Sequence, residues 1–88
     1  MPRYIIERDV PVLSQEELAA AGKKSVEVIA SMNEDIVWVK SYVSSEGKFY
    51  CEYDAPNPEA ILEHARRVGV PVTKISEVSL EINPAMFQ

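Results

Sequence analysis

The side chains best suited to chemistry in this sequence lie in segments that read as β-strands. They are three aromatic residues and three charged ones: Glu7, Trp38, Lys40, Tyr42, Tyr50 and Glu52. A carboxylate in a crowded, partly dry site can act as a general base or bind a cation, and aromatic rings form apolar ligand surfaces. Whether these residues form a site depends on whether they share one face of a sheet.

A glycine-containing loop predicts how the two middle strands pair. Ser45–Gly47 resembles a three-residue hairpin loop in which the glycine adopts the left-handed conformation and forms a bulge. This loop places Lys40 opposite Glu52 and Tyr42 opposite Tyr50. All four side chains then lie on one side of the hairpin, because successive side chains point to opposite faces.

The same register assigns the remaining hairpin residues. Val39 is predicted to face Tyr53 on the other, helix-covered side, together with Cys51, and Trp38 is predicted to lie beside Lys40. Cys51 is therefore expected to be a buried, inert thiol.

The elements that position these residues follow the order β-α-β-β-α-β. The first helix starts at a capping box from Ser14 to Glu17. The second starts at Asn57 with proline at its first position and ends at Gly69, and a last strand is predicted from Lys74 to Ile82. This order is typical of a ferredoxin-like α+β domain, residues 1–88, whose two helices cover one face of a four-stranded antiparallel sheet.

Two details of packing follow from side-chain spacing. Ala21, Gly22 and Ser25 lie on the inward stripe of the first helix, and these small residues indicate close packing against the sheet. In the last strand, Leu80 and its alternate neighbours are predicted to point inward, which leaves Glu77 on the outer face with Glu7.

The uncovered sheet face is predicted to gather the six candidate residues into one patch. Three large aromatics are unusual on a surface that faces only water, and a contiguous patch of this kind marks an interface or a ligand groove. Glu7, Lys40 and Glu52 form either an ion-pair network or the lining of a polar pocket. Two such sheets commonly pack face to face as a homodimer.

Composition limits the function further. The chain has 88 residues and a net charge of −5, which argues against binding to nucleic acid. Its single cysteine excludes an internal disulfide and fits a reducing compartment. No apolar run is long enough for a membrane span or a signal peptide, so a cytoplasmic protein is predicted.

The single histidine, His64, lies at the edge of the second helix's apolar face. It is predicted to be a partly exposed helix residue, and the alternative is a ligand or a dimer contact. No local motif has metal-ligand spacing, so Glu7, Glu52 and His64 are only weak candidates for a metal.

Five sequence blocks, in this order, resemble the small nickel-binding ferredoxin-like proteins that are catalogued as a domain of unknown function. They are RYIIERD, WVKSYV, YCEYDAP, PEAILEHARRVGVP and ISEV. The resemblance implies a homodimeric α/β barrel that binds nickel in at least one member. Glu7 and Tyr42 match the family pattern, but Lys40 occupies a position where the family often has histidine. Protonated lysine is a poor nickel ligand.

Two functions from different classes remain open. The first is a cytoplasmic homodimeric protein that binds a divalent metal, such as nickel, or a small ligand on the uncovered face. The second is a cofactor-independent enzyme of the monooxygenase, isomerase or decarboxylase type, which rests on analogy with other dimeric barrels of this fold.

Overall fold

The order of elements agrees with the sequence prediction. The computed structural model describes residues 1–88. The elements are β1 (Arg3–Asp9), α1 (Gln15–Ser31), β2 (Val37–Val43), β3 (Lys48–Asp54), α2 (Pro58–Val68), β4 (Lys74–Glu77) and a short 3₁₀ helix (Pro84–Phe87). The strands form one antiparallel sheet in the order β2-β3-β1-β4, so the ferredoxin-like prediction is confirmed.

Both helices begin at the predicted caps. In α1 the Glu17 amide donates to the Ser14 hydroxyl at 3.1 Å, and the Ser14 amide donates to the Glu17 carboxylate at 3.0 Å. In α2 the Ala60 amide donates to the Asn57 side chain at 2.9 Å. These bonds satisfy amides that the first helical turn leaves unpaired, so they fix where each helix starts.

The hydrophobic core lies between the helices and one sheet face. Ile6 of β1 and Ile61 of α2 are completely buried at its centre. The two helices contribute unequally, because α2 has five buried residues whereas α1 has only one, Ser25. The β2 half of the sheet is therefore covered less tightly than the rest.

The predicted last strand is too long. β4 ends at Glu77, and the residues beyond it leave the sheet, with Leu80 71% and Ile82 65% exposed. The Val78 amide still donates to the Arg3 carbonyl.

The β4 register also differs from the prediction by one residue. Glu77 lies opposite Tyr4, whose side chain is buried under the helices, and Ser76 lies opposite Ile5. Glu77 is therefore on the helix side of the sheet, not on the uncovered face. The adjacent Glu77 carboxylate adds to the effect of burial in raising the pKa of Tyr4.

A β-bulge in β2 overturns one further assignment. The predicted pairs of Lys40 with Glu52 and Tyr42 with Tyr50 are confirmed, but a register shift follows between Trp38 and Lys40. Trp38, rather than Val39, lies opposite Tyr53, so its indole lies on the helix side. Because the bulge contains one extra residue, the side chains before it point to the face opposite to the one that strict alternation predicts.

Candidate functional site

We call the helix-free side of the sheet the open face. The strand registers bring five of the six predicted site residues to it, together with an isoleucine: Ile5, Glu7, Lys40, Tyr42, Tyr50 and Glu52. Tyr42 is 52% exposed and Tyr50 is 37% exposed, so both rings present apolar surface to solvent. Trp38, the sixth, lies on the opposite side of the sheet.

The charged residues of the open face do not pair as the sequence suggested. Glu7 forms an ion pair with Lys48 at 3.1 Å, and this contact raises the pKa of the lysine. Lys40 does not bond to Glu52. Its ammonium lies 5.4 Å from the centre of the Tyr42 ring, and the neighbouring Tyr42 side chain is the main cause of its raised pKa.

Glu52 is consequently the carboxylate that remains available in the middle of the open face. No ion pair within 4 Å involves it, although Lys40 is its neighbour across the strands. A carboxylate without a bound cation can accept a cation or a hydrogen-bond donor from a ligand or from another protein.

A second ion-pair group lies at one end of the open face. Arg3 bonds to Asp54 at 2.9 Å and to Glu81 at 3.1 Å. The hydrogen bond from Arg3 lowers the pKa of Asp54. Through Glu81 this group ties the chain beyond β4 to the sheet.

His64 is not the partly exposed residue that the sequence predicted. It is 1% exposed, and its Nε2 atom lies 3.0 Å from the Ser25 hydroxyl and 3.4 Å from the Ser25 carbonyl oxygen of α1. Burial lowers the pKa of the imidazole, so the ring is neutral near pH 7. A polar partner on the facing helix permits this burial. The only indication of it in the sequence was the serine within the inward stripe of α1, which could provide a buried hydrogen-bond partner.

The three weak metal candidates do not meet in one chain. Glu7 and Glu52 lie on the open face, whereas His64 lies beneath the helices on the other side of the sheet. No group of three or more histidine, cysteine, aspartate or glutamate side chains comes together anywhere in the chain. Nickel is well bound by imidazole, so the residues of a single copy do not fit a nickel site. Cys51 is buried, as predicted.

A cavity of about 270 Å³ between the helices and the β2 half of the sheet was not predicted. Its polar lining consists of Arg8, Ser25, Ser41 and His64, and Trp38 forms part of its wall. Ala21 and Gly22 also line it, so the small residues of α1 leave a space where close packing was expected. The Trp38 indole donates to the Ser41 hydroxyl at 2.9 Å, which fixes the ring in this wall.

Comparisons with known proteins support the fold and identify a family. A crystal structure of SCO4226 from Streptomyces coelicolor A3(2) matches with a TM-score of 0.77 at 21% sequence identity, covering 91% of this chain and 99% of that one. No curated protein matches the chain. Neither helix combines the length and the apolar character required to span a bilayer.

The model of one protein family matches residues 4–78, which is most of the chain and covers all four strands except the first residue of β1. Its description is nickel responsive protein, SCO4226-like. The chain therefore belongs to the SCO4226-like family of nickel responsive proteins.

Proposed function

We propose that this protein acts as a small cytoplasmic homodimer that binds a divalent metal ion, such as nickel, or a small ligand between two open faces. Family membership supports the connection with nickel. The observation that carries the proposal is the free Glu52 carboxylate at the centre of an uncovered, partly aromatic sheet face. Nothing in the family description or the structural match supports the alternative of a cofactor-independent enzyme.

A second copy of the chain is the occupant that best fits the open face. Lys40 and Glu52 are neighbours of opposite charge that form no ion pair with each other, so both charges are free to meet their opposites across a twofold axis. A twofold interface brings the same patch together from both subunits, so a patch that carries both signs can be self-complementary. The exposed Tyr42 and Tyr50 rings supply apolar area of the kind enriched in interfaces.

Dimerisation also determines how many carboxylate ligands are available to a metal ion on the open face. One copy offers two glutamates on the open face, and Lys48 already neutralises one of them. Two copies would double these carboxylates, and a metal ion in this protein would therefore draw its ligands from both. Lys40 is the position that limits nickel affinity, because a protonated amine cannot donate a lone pair.

The test measures subunit number and metal content together. Native mass spectrometry of protein purified without added metal is expected to show a dimer, and calorimetry then measures nickel affinity. Lys40→His is expected to raise this affinity by at least about tenfold, since imidazole replaces a cation beside Glu52.

Lys23→His is the matched control, because Lys23 is an exposed α1 residue on the other side of the sheet. It adds a histidine without altering the open face. A monomeric mass would refute the proposed assembly. Equal nickel affinity for the two histidine variants would refute the proposed metal position.

A further inference from the structure

Arg8 carries a buried charge without a counter-ion. It is 3% exposed near the end of β1, and none of the ion pairs within 4 Å involves it. One terminal nitrogen, Nη1, donates to the Pro71 carbonyl at 2.8 Å, and the other, Nη2, is buried without any hydrogen-bond partner. Buried charges in proteins are normally paired, because desolvation strongly opposes an isolated ion.

A second unmatched group lines the same cavity. The Nδ1 atom of His64 is buried and has no hydrogen-bond partner, while Nε2 contacts Ser25. Arg8 is near enough to contribute to the lowered pKa of His64, after burial itself. Since His64 is neutral, Arg8 is the one cation among the lining residues.

The rest of the wall is apolar and partly open to solvent. It includes Leu18, Phe49, Val68 and Val70 in addition to the Trp38 ring. An apolar cavity of about 150 Å³ is large enough to hold benzene. The volume of about 270 Å³ therefore has room for an aromatic ring or short alkyl chain with a carboxylate attached.

We propose that this cavity is a binding site for a small organic carboxylate with an apolar body. The carboxylate pairs with the Arg8 guanidinium, and the apolar body packs against Trp38 and its aliphatic neighbours. This pairing supplies the counter-charge and the acceptor that Nη2 lacks. The site is on the opposite side of the sheet from the open face, so it does not depend on the proposed metal function.

The single tryptophan provides a direct readout, because Trp38 is in the cavity wall. Benzoate and benzamide have nearly the same shape but differ in charge. Titration of each, followed by Trp38 fluorescence and by calorimetry, is expected to show benzoate binding at least about tenfold more tightly, since a hydrogen bond to a charged group contributes that much.

Two variants separate the charge from the cavity. Arg8→Met removes the guanidinium but keeps an unbranched side chain, and it is expected to abolish the preference for benzoate. Gly22→Leu adds a side chain close to the Trp38 ring, since a Cβ built at Gly22 lies 3.9 Å from that ring. It is expected to block both compounds, and circular dichroism confirms that each variant is folded.

Leu62→Ala is the control, because Leu62 is a half-exposed residue of α2 that does not line the cavity, and it is expected to leave benzoate binding unchanged. Equal affinities of the wild type for the two compounds would overturn the proposal. So would benzoate binding that persists in Arg8→Met or Gly22→Leu, or an absence of benzoate binding at millimolar concentrations.

Discussion

Single residues on the helix side of the sheet show how much a polar group depends on its neighbours. His64 is buried because Ser25 on the facing helix bonds to its Nε2 atom. Arg8 is buried beside it, with a backbone carbonyl as its hydrogen-bond partner and the centre of the Tyr53 ring 5.9 Å from its guanidinium carbon. In a sequence, either residue looks like an ordinary surface side chain, because the partner is 39 positions away for His64 and 63 for Arg8.

The burial of His64 predicts a specific dependence of stability on pH. Its folded-state pKa lies below the ordinary value of 6.5 because of burial, so the unfolded chain takes up a proton first as pH falls. The free energy of unfolding should therefore decrease as pH falls below about 6.5. Urea denaturation at several pH values from about pH 7 to about pH 5 measures this decrease.

His64→Gln is the control for this prediction, because the chain has no other histidine. The variant keeps a group able to bond to Ser25 but cannot titrate in this interval. Its stability should change less over the same range than that of the wild type. Parallel curves for the two proteins would show that His64 does not cause the pH dependence.

At the scale of elements, the hairpin shows where prediction from sequence succeeds and where it stops. Gly47 has a φ of 87°, which fits the left-handed position expected of the loop, and the strand pairs closest to the loop follow from it. No residue type or pattern in the sequence around Val39 predicts a bulge. Each residue beyond it therefore appears on the wrong face, and Trp38 was misplaced for this reason.

The packing of the first helix was harder to predict than its position. The stripe of small residues was correctly placed on the inward face, but the close packing inferred from it was wrong. Small side chains allow a helix to pack closely against a sheet but do not require it. The Trp38 ring, which the bulge places on the helix side, keeps part of the space between α1 and the sheet open. The cavity results from two elements together, so neither segment alone could predict it.

Gly22 gives a prediction about α1. It is in a helix interior with no positive φ, and a Cβ added there would make an ordinary contact with Trp38 at 3.9 Å. Gly22→Ala is therefore expected to stabilise the fold by about 0.5–1 kcal/mol, because alanine loses less backbone entropy on folding. Thermal or urea denaturation measures the change.

Gly69→Ala serves as the contrasting variant. Gly69 ends α2 with a φ of 88°, a conformation that a side chain makes unfavourable by about 1 kcal/mol or more. It should destabilise the protein although nothing lies within 4 Å of the added atom. If Gly22→Ala is also destabilising, the space described around α1 is incorrect.

For the whole molecule, the sequence predicted the fold better than the site. Alternation and caps define the elements and the layer they form, so Glu7 and Glu52 could be assigned to the open face. The pairing of Glu7 with Lys48 could not, because a long side chain reaches diagonal neighbours that register does not distinguish. The link to nickel came from resemblance and not from a set of ligands in the chain.

The proposed dimer yields a prediction at this scale. Tyr42→Asp places a negative charge on the open face, at its edge strand β2, in a protein whose net charge is already −5. We expect the dimer dissociation constant to rise by at least about tenfold, since burying an unpaired charge in an interface is strongly unfavourable. Sedimentation velocity over a range of protein concentrations measures the shift.

Leu62→Asp is the matched control, because Leu62 is a half-exposed apolar residue on the outer side of α2, away from the open face. It should leave the dimer intact. If both variants dissociate equally, or neither does, the open face is not the interface.

The extra residue of β2 has an evolutionary consequence. A one-codon deletion at Val39 would restore strict alternation and still leave the indole in the interior, because Trp38 would then directly precede Lys40 and keep its place opposite Tyr53. A chain of unchanged length that paired without the bulge would instead place the tryptophan opposite Asp54, on the surface proposed to contact another subunit. Whether the strand accommodates its extra residue as a bulge, more than its composition, therefore decides which surface the tryptophan serves.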